Sequence, residues 1–117
     1  MARASAPGGD VVSAGGAGSI VLDVVAARRV AASITDPEIP VLTIDDLGVL
    51  RGVEVDGDVL TVTITPTYSG CPAMEVIRDD LTLALTAAGW PQVVVRNVLT
   101  PAWTTDWITD AGKAKLR

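Results

Sequence analysis

One thiol is available for chemistry in this chain. It lies in the segment Thr65-Pro66-Thr67-Tyr68-Ser69-Gly70-Cys71-Pro72-Ala73-Met74-Glu75. The run Leu60-Thr61-Val62-Thr63-Ile64 ahead of it has strand character. The run behind it has helix character, with Pro72 suited to a first helical turn. Cys71 is therefore expected at the mouth of a helix N-terminus, beside a glycine-bearing turn. Unpaired N–H groups and the helix dipole at such a place favour a thiolate over a thiol. A thiolate attacks electrophiles and binds soft metals. The other reading is a buried cysteine that acts as a small apolar group. Spacing alone leaves both open.

The residue types that are missing narrow the chemistry. There is no histidine among the 117 residues. A Cys–His pair, a Ser–His–Asp triad and a histidine metal site are excluded within one chain. A lone cysteine excludes an internal disulfide and a C-x-x-C redox pair, and fits a reducing cytoplasm. The net charge of −5, without a Lys/Arg cluster, argues against nucleic acid as the main partner. No apolar run approaches the length of a membrane span.

Other residues could join Cys71. Asp36 and Glu38 bracket Pro37 in Asp36-Pro37-Glu38-Ile39-Pro40. They read either as a carboxylate pair on a rigid loop or as helix-ending punctuation with a capping role. Asp45 and Asp46 read as loop or capping residues, and Arg78, Asp79 and Asp80 as a solvated helix face. Trp103-Thr104-Thr105-Asp106-Trp107 follows Pro101 and places two indoles four residues apart. Trp103 is expected at a site or interface and Trp107 in the core. Trp90 is expected to pack.

The elements that must position these residues follow from periodicity and punctuation. Met1 to Ser19 is Ala/Gly/Ser-rich and reads as a disordered tail. Residues 20–117 read as one domain. Ile20 to Ile34 reads as a helix with Leu22, Ala26, Val30 and Ile34 on one stripe and Val25 beside them. Asp36-Pro37 stops it. Glu38 to Leu47 reads as a structured loop. Val49 to Val55 and Val59 to Thr65 read as a hairpin across Asp56-Gly57, the second strand lying mid-sheet. Pro72 to Ala88 reads as the second helix, with Ile77, Leu81, Ala84, Leu85 and Ala88 as its stripe and Gly89 at C′. Gln92 to Leu99 is a third strand, parallel to the second. A short helix is expected between Thr109 and Leu116. The fold class is α+β, in the order α-β-β-α-β-α, with a three-stranded mixed sheet packed by helices.

Three segments carry a family resemblance: Asp36 to Pro40, Thr65 to Ile77, and Pro101-Ala102-Trp103-Thr104-Thr105-Asp106-Trp107-Ile108. In that order the chain, from about Leu22 to Arg117, resembles the PaaD family. PaaD-like proteins accompany the bacterial phenylacetyl-CoA epoxidase (ring-oxygenase) system and belong to a wider family of iron–sulfur assembly domains that includes SufT. The Asp-Pro-Glu element and the cysteine ahead of a helix mark the wider family. Tyr-Ser-Gly-Cys-Pro and Ala-Trp-Thr-Thr-Asp-Trp mark the PaaD branch. PaaD proteins usually continue into a C-terminal segment with more cysteines, a small metal-binding ribbon. The sequence stops at Arg117 ahead of it, which reads as a truncated form or a single-domain relative.

The resemblance implies a role in iron–sulfur cluster assembly or maturation, with the oxygenase subunits or other iron–sulfur proteins as clients. It implies that Cys71 is the functional and metal-binding cysteine. Tyr68, Ser69 and Gly70 would form the turn that presents it, with Asp36, Glu38, Trp103 and Thr104 around a transiently held cluster. A cluster normally takes about four thiolates, with imidazole as a substitute. One chain has one thiolate, so two copies would each give Cys71, or a client or small thiols would complete the shell. That suits a carrier better than an enzyme. The alternative is a non-catalytic scaffold or binding subunit of the oxygenase, in which Cys71 is structural.

Overall fold

The computed structural model describes residues 23–68 and 70–116. The tail expected over Met1 to Ser19 lies outside the described residues. So do Leu22 and Ser69.

Six elements run in the expected order: α1 (Val24–Ala32), β1 (Leu50–Asp56), β2 (Val59–Ile64), α2 (Ala73–Ala87), β3 (Gln92–Asn97) and α3 (Asp110–Lys115). The sheet order is β1-β2-β3, with β1 antiparallel and β3 parallel to β2. The two-residue turn Gly57-Asp58 joins β1 to β2, with Gly57 at φ +60°. Leu60, Val62 and Ile64 are fully buried on one face of the central strand. α1 packs on β1 and α2, and α2 on β3, so both cover that face. The core joins Ala27 and Ala31 of α1 to Ile77, Leu81 and Leu85 of α2 and the sheet's inner row, with Trp90 closing it.

The stripe expected for α1 is met in part: Val30 and Ile34 pack half-buried against the core, but its centre is shifted by one residue. Ala27 and Ala31 are its buried residues, whereas Val25 is 60% exposed. The two alanines let α1 approach its neighbours closely, which larger side chains at those positions would prevent. On α2 the expected Ile77, Leu81 and Leu85 are buried, but Ala88 is exposed at the C-cap. Gly89 has φ +109° and occupies C′ as its type predicts.

The segment between α1 and β1 is ordered by hydrogen bonds. Ile34 and Ile44, Thr35 and Thr43, and Asp36 and Leu42 face each other, with Ile44 N–H donating to the Ile34 carbonyl at 2.8 Å. Leu42 and Ile44 are fully buried. Asp46 closes the segment: its carboxylate accepts from Thr43 N–H, and its own N–H donates to Thr43 Oγ1, both at 3.0 Å.

The C-terminal segment docks onto this loop. Thr109 N–H donates to the Asp46 carbonyl at 2.8 Å, and Lys115 Nζ donates to Asp46 Oδ2 at 2.6 Å. Trp103 Nε1 donates to the Leu47 carbonyl at 2.7 Å. Gly48, at φ +77°, lies against Trp107 so closely that a Cβ would overlap its carbonyl oxygen.

Candidate functional site

Cys71 lies immediately before the N-cap of α2. Pro72, expected inside the first turn, is the N-cap itself, with helical dihedrals and no side-chain cap. Cys71 N–H donates to the Tyr68 carbonyl at 3.3 Å, and the Cys71 carbonyl accepts from Met74 N–H at 3.2 Å. This tight turn uses Gly70 at φ +79°, which a side chain would strain. A Cβ at Gly70 would meet nothing within 4 Å, so its backbone conformation explains the glycine and close approach does not. Cys71 is 8% exposed, and its free thiol sits at the first turn of α2, where no side chain competes for the N–H groups.

Cys71 lines an open cleft of about 570 Å³ together with Pro66, Gly70, Met74, Arg78 and Asn97. Cys71, Met74, Glu75 and Arg78 follow i, i+3, i+4, i+7 spacing and so share one face of α2. The opposite wall is the end of β3, Asn97 and Leu99. Arg78, expected at an ordinary solvated position, faces this cleft instead. Its spacing from Cys71 is the signal in the sequence that it does so.

A smaller cleft of about 140 Å³ adjoins the first, sharing Pro66 and Leu99. It is lined by Thr65, Thr67, Tyr68, Ala102 and Trp103. Tyr68 is 53% exposed. The Cys71 sulfur beside it, followed by desolvation, a hydrogen bond with Cys71 and the Glu38 carboxylate, holds its hydroxyl above the usual phenol range. The Glu38 carboxylate thus contributes to the field at the Tyr68 hydroxyl although 30 residues separate the two.

Asp36 serves this arrangement indirectly. It is 6% exposed, and Oδ1 accepts from the Glu38 and Ile39 amides at 2.7 and 3.0 Å. The carboxylate pins the turn that carries Glu38, so the pair divides into one turn-former and one exposed acid. Thr104 also forms a turn: its Oγ1 accepts from Asp106 N–H at 2.8 Å and caps the 3-10 turn Thr105–Trp107. It does not line either cleft.

The two indoles do not divide cleanly into one at the site and one in the core. Trp103 packs against the core while its ring borders the smaller cleft. Trp107 is half-buried, with the Arg51 guanidinium 3.8 Å from its ring centroid. Arg51 is the extra residue where the β1–β2 register shifts between Leu50 and Gly52, and such a bulge re-aims its side chain.

Among the described residues, no group of three or more Cys, His, Asp or Glu is placed to hold a metal ion. Nor is any helix there long and apolar enough to cross a membrane. The site offers a single thiol in an open cleft with one cationic and one anionic side chain, Arg78 and Glu75, on its wall.

Comparison with known proteins identifies the family. Residues 26–98 match the family model described as iron–sulfur cluster assembly protein. The chain is 50% identical over 84 residues to an Escherichia coli protein named as one of the subunits of a 1,2-phenylacetyl-CoA epoxidase, covering 72% of this chain and 51% of that one. It thus spans about half the length of that relative. It is 38% identical over 87 residues to an Fe-S protein maturation auxiliary factor of Bacillus subtilis, covering 71% of this chain and 82% of that one. The crystal structure of a domain of unknown function from Bacillus anthracis shares the fold. Its TM-score is 0.73 at 24% identity, over 80% of this chain and 90% of that one. With the match spanning both the loop of Asp36 and the turn of Cys71, the chain belongs to the iron–sulfur cluster assembly protein family.

Proposed function

We propose that this protein hands iron–sulfur clusters to client proteins through Cys71, and that the phenylacetyl-CoA oxygenase system supplies the client. The observation that carries the reading is the setting of the only thiol: a helix N-terminus opening on a cleft, with Arg78 as its one cationic wall. The relative named for the epoxidase supports the choice of client.

The ligand arithmetic determines the mode. One thiolate without imidazole leaves most of a cluster's coordination to other molecules. Hand-off is then a ligand exchange. A client thiol binds iron through sulfur as the bond from iron to Cys71 Sγ breaks, and the client's proton ends on Cys71. No electron changes hands. The helix N-terminus steadies the departing thiolate until that proton arrives. Arg78 offsets part of the negative charge of a thiolate-ligated cluster. Asp36, Glu38, Tyr68 and Gly70 hold the turn and the electrostatics around Cys71; Trp103 forms the floor of the neighbouring cleft.

Cys71→Ser is the direct test, since the two side chains have similar volume. The folded variant should melt within a few degrees of the wild type. Iron and sulfide in oxygenase purified from cells carrying it should fall at least tenfold. Full cluster content in that oxygenase would overturn the thiolate hand-off.

A further inference from the structure

The sheet has two edges, and one is better guarded than the other. The β1 edge carries Arg51, Glu54 and Asp56 and is interrupted at Arg51. Charges and bulges of this kind discourage another strand from pairing. The β3 edge has no bulge and a single charge, Arg96. Its sequence is Gln92-Val93-Val94-Val95-Arg96-Asn97, without proline.

The free groups on β3 can be assigned by residue. Val98 N–H donates to the Ile64 carbonyl at 2.9 Å. In a parallel pair, residues turning their N–H and C=O toward the neighbour alternate with residues turning them away. Val94 and Arg96 therefore bond to β2 like Val98, while Val93, Val95 and Asn97 point outward. Among the described residues, none of these three amides has a backbone partner outside the sheet. The outward row ends at Asn97, which lines the Cys71 cleft.

We propose that the free edge of β3 is the docking strand for an extended, cysteine-bearing segment of the client, which pairs with it and is thereby aimed into the Cys71 cleft. The proposal rests on the hand-off reading. It adds how a client thiol is brought to Cys71 without a matching side-chain code. Main-chain pairing supplies affinity that tolerates varied sequences, and pockets beside the edge select particular side chains. The two clefts sharing Leu99 lie where the incoming strand's end must pass. Arg78, beside Glu75 on the cleft wall, offers an incoming thiolate one cationic partner on a chain of net charge −5.

A second copy of this chain fits less well. Two β3 edges paired antiparallel about their middle would set the two Cys71 clefts at opposite ends. Six residues at about 3.3 Å each separate those ends by about 20 Å, too far to share one cluster.

The test compares Asn97→Pro with Asn97→Ala. Asn97 is exposed, and its N–H points away from β2, so proline there removes an edge donor without breaking the sheet. Alanine removes the side chain and keeps the donor. With folding checked by thermal melting, Asn97→Ala measures what the side chain at the cleft wall contributes, and Asn97→Pro should lower the cluster content of the oxygenase at least fivefold further than Asn97→Ala. Equal loss in both variants, or normal content with Asn97→Pro, overturns edge docking. If Cys71→Ser still abolishes maturation, the hand-off reading stands in either case.

Amide exchange of the unmodified protein mixed with cluster-free oxygenase subunits gives a second readout, independent of any variant's folding. Val93, Val95 and Asn97 should slow at least tenfold on mixing, with Val94 and Arg96 unchanged. Absence of that alternation overturns the proposal. So does the same alternation appearing with protein concentration alone, which would mark a second copy as the occupant.

Discussion

At the scale of single residues, the sequence shows which atoms could react better than which side chains support them. Cys71 is conspicuous because it is alone, and its helix-mouth position follows from a strand run, a glycine and a proline in succession. The Trp pair is harder to read. Four-residue spacing cannot say which indole turns inward when the segment between them is a 3-10 turn. The structure bonds Trp103 to the Leu47 carbonyl and leaves Trp107 under Arg51. Trp103→Phe keeps a ring but strands a partly buried carbonyl, which costs about 1–2 kcal/mol. Trp107→Phe retains a face for Arg51 and should cost about 0.5 kcal/mol. Urea unfolding of the two variants decides between them, and a larger loss at Trp107 would return that ring to the core.

At the scale of elements, local punctuation explains why the hairpin and α2 are legible. Asp56-Gly57 marks a turn, and Gly89 marks a helix end. The centre of the buried face of α1 is not, because hydrophobicity ranks valine above alanine, whereas close helix packing selects small residues at the contact. Docking of the C-terminal segment is not legible either, because it runs through backbone carbonyls that any sequence possesses. Asp46 is its exception. Its carboxyl is held below the ordinary 3.8 by the Lys115 hydrogen bond first and the Thr43 amide next, against the opposing effect of burial. A carboxyl whose folded pKa lies below its unfolded value stabilises fully above the unfolded pKa, and loses that contribution as pH falls through the folded one. Asp46→Asn should therefore cost about 1 kcal/mol at pH 7, the scale of a lost cap. The gap from wild type should close as pH falls below about 4. Melting curves from pH 7 to pH 3 check this, and a gap that persists undiminished at pH 3 would show that the carboxylate charge is not what holds Thr43 and Lys115.

At the scale of the whole molecule, the family match ends at residue 98, yet the C-terminal segment is tied to the loop from Thr43 to Gly48. That loop is continuous with the turn of Asp36 and Glu38. One path of contacts thus runs from α3 through Asp46 and Thr43 to the turn that Asp36 pins. The segment contributes one indole hydrogen bond, the packing of Trp103 and Ile108 against the core, and the Lys115 contact. Taken together these are worth about 3 kcal/mol, with the partly exposed ion pair the smallest share. Ending the chain after Leu99 should leave the sheet and both long helices in place but lower the melting temperature by more than about 10 °C, at about 4–8 °C per kcal/mol for a domain near this size. The smaller cleft would lose its Trp103 wall. Thermal unfolding and an apolar dye that fluoresces on exposed core surface measure the two effects. Unchanged melting would mean that residues 100–117 add nothing to the domain's stability. Complete unfolding would mean that the matched region requires its C-terminal strap, and that the core boundary lies beyond residue 98.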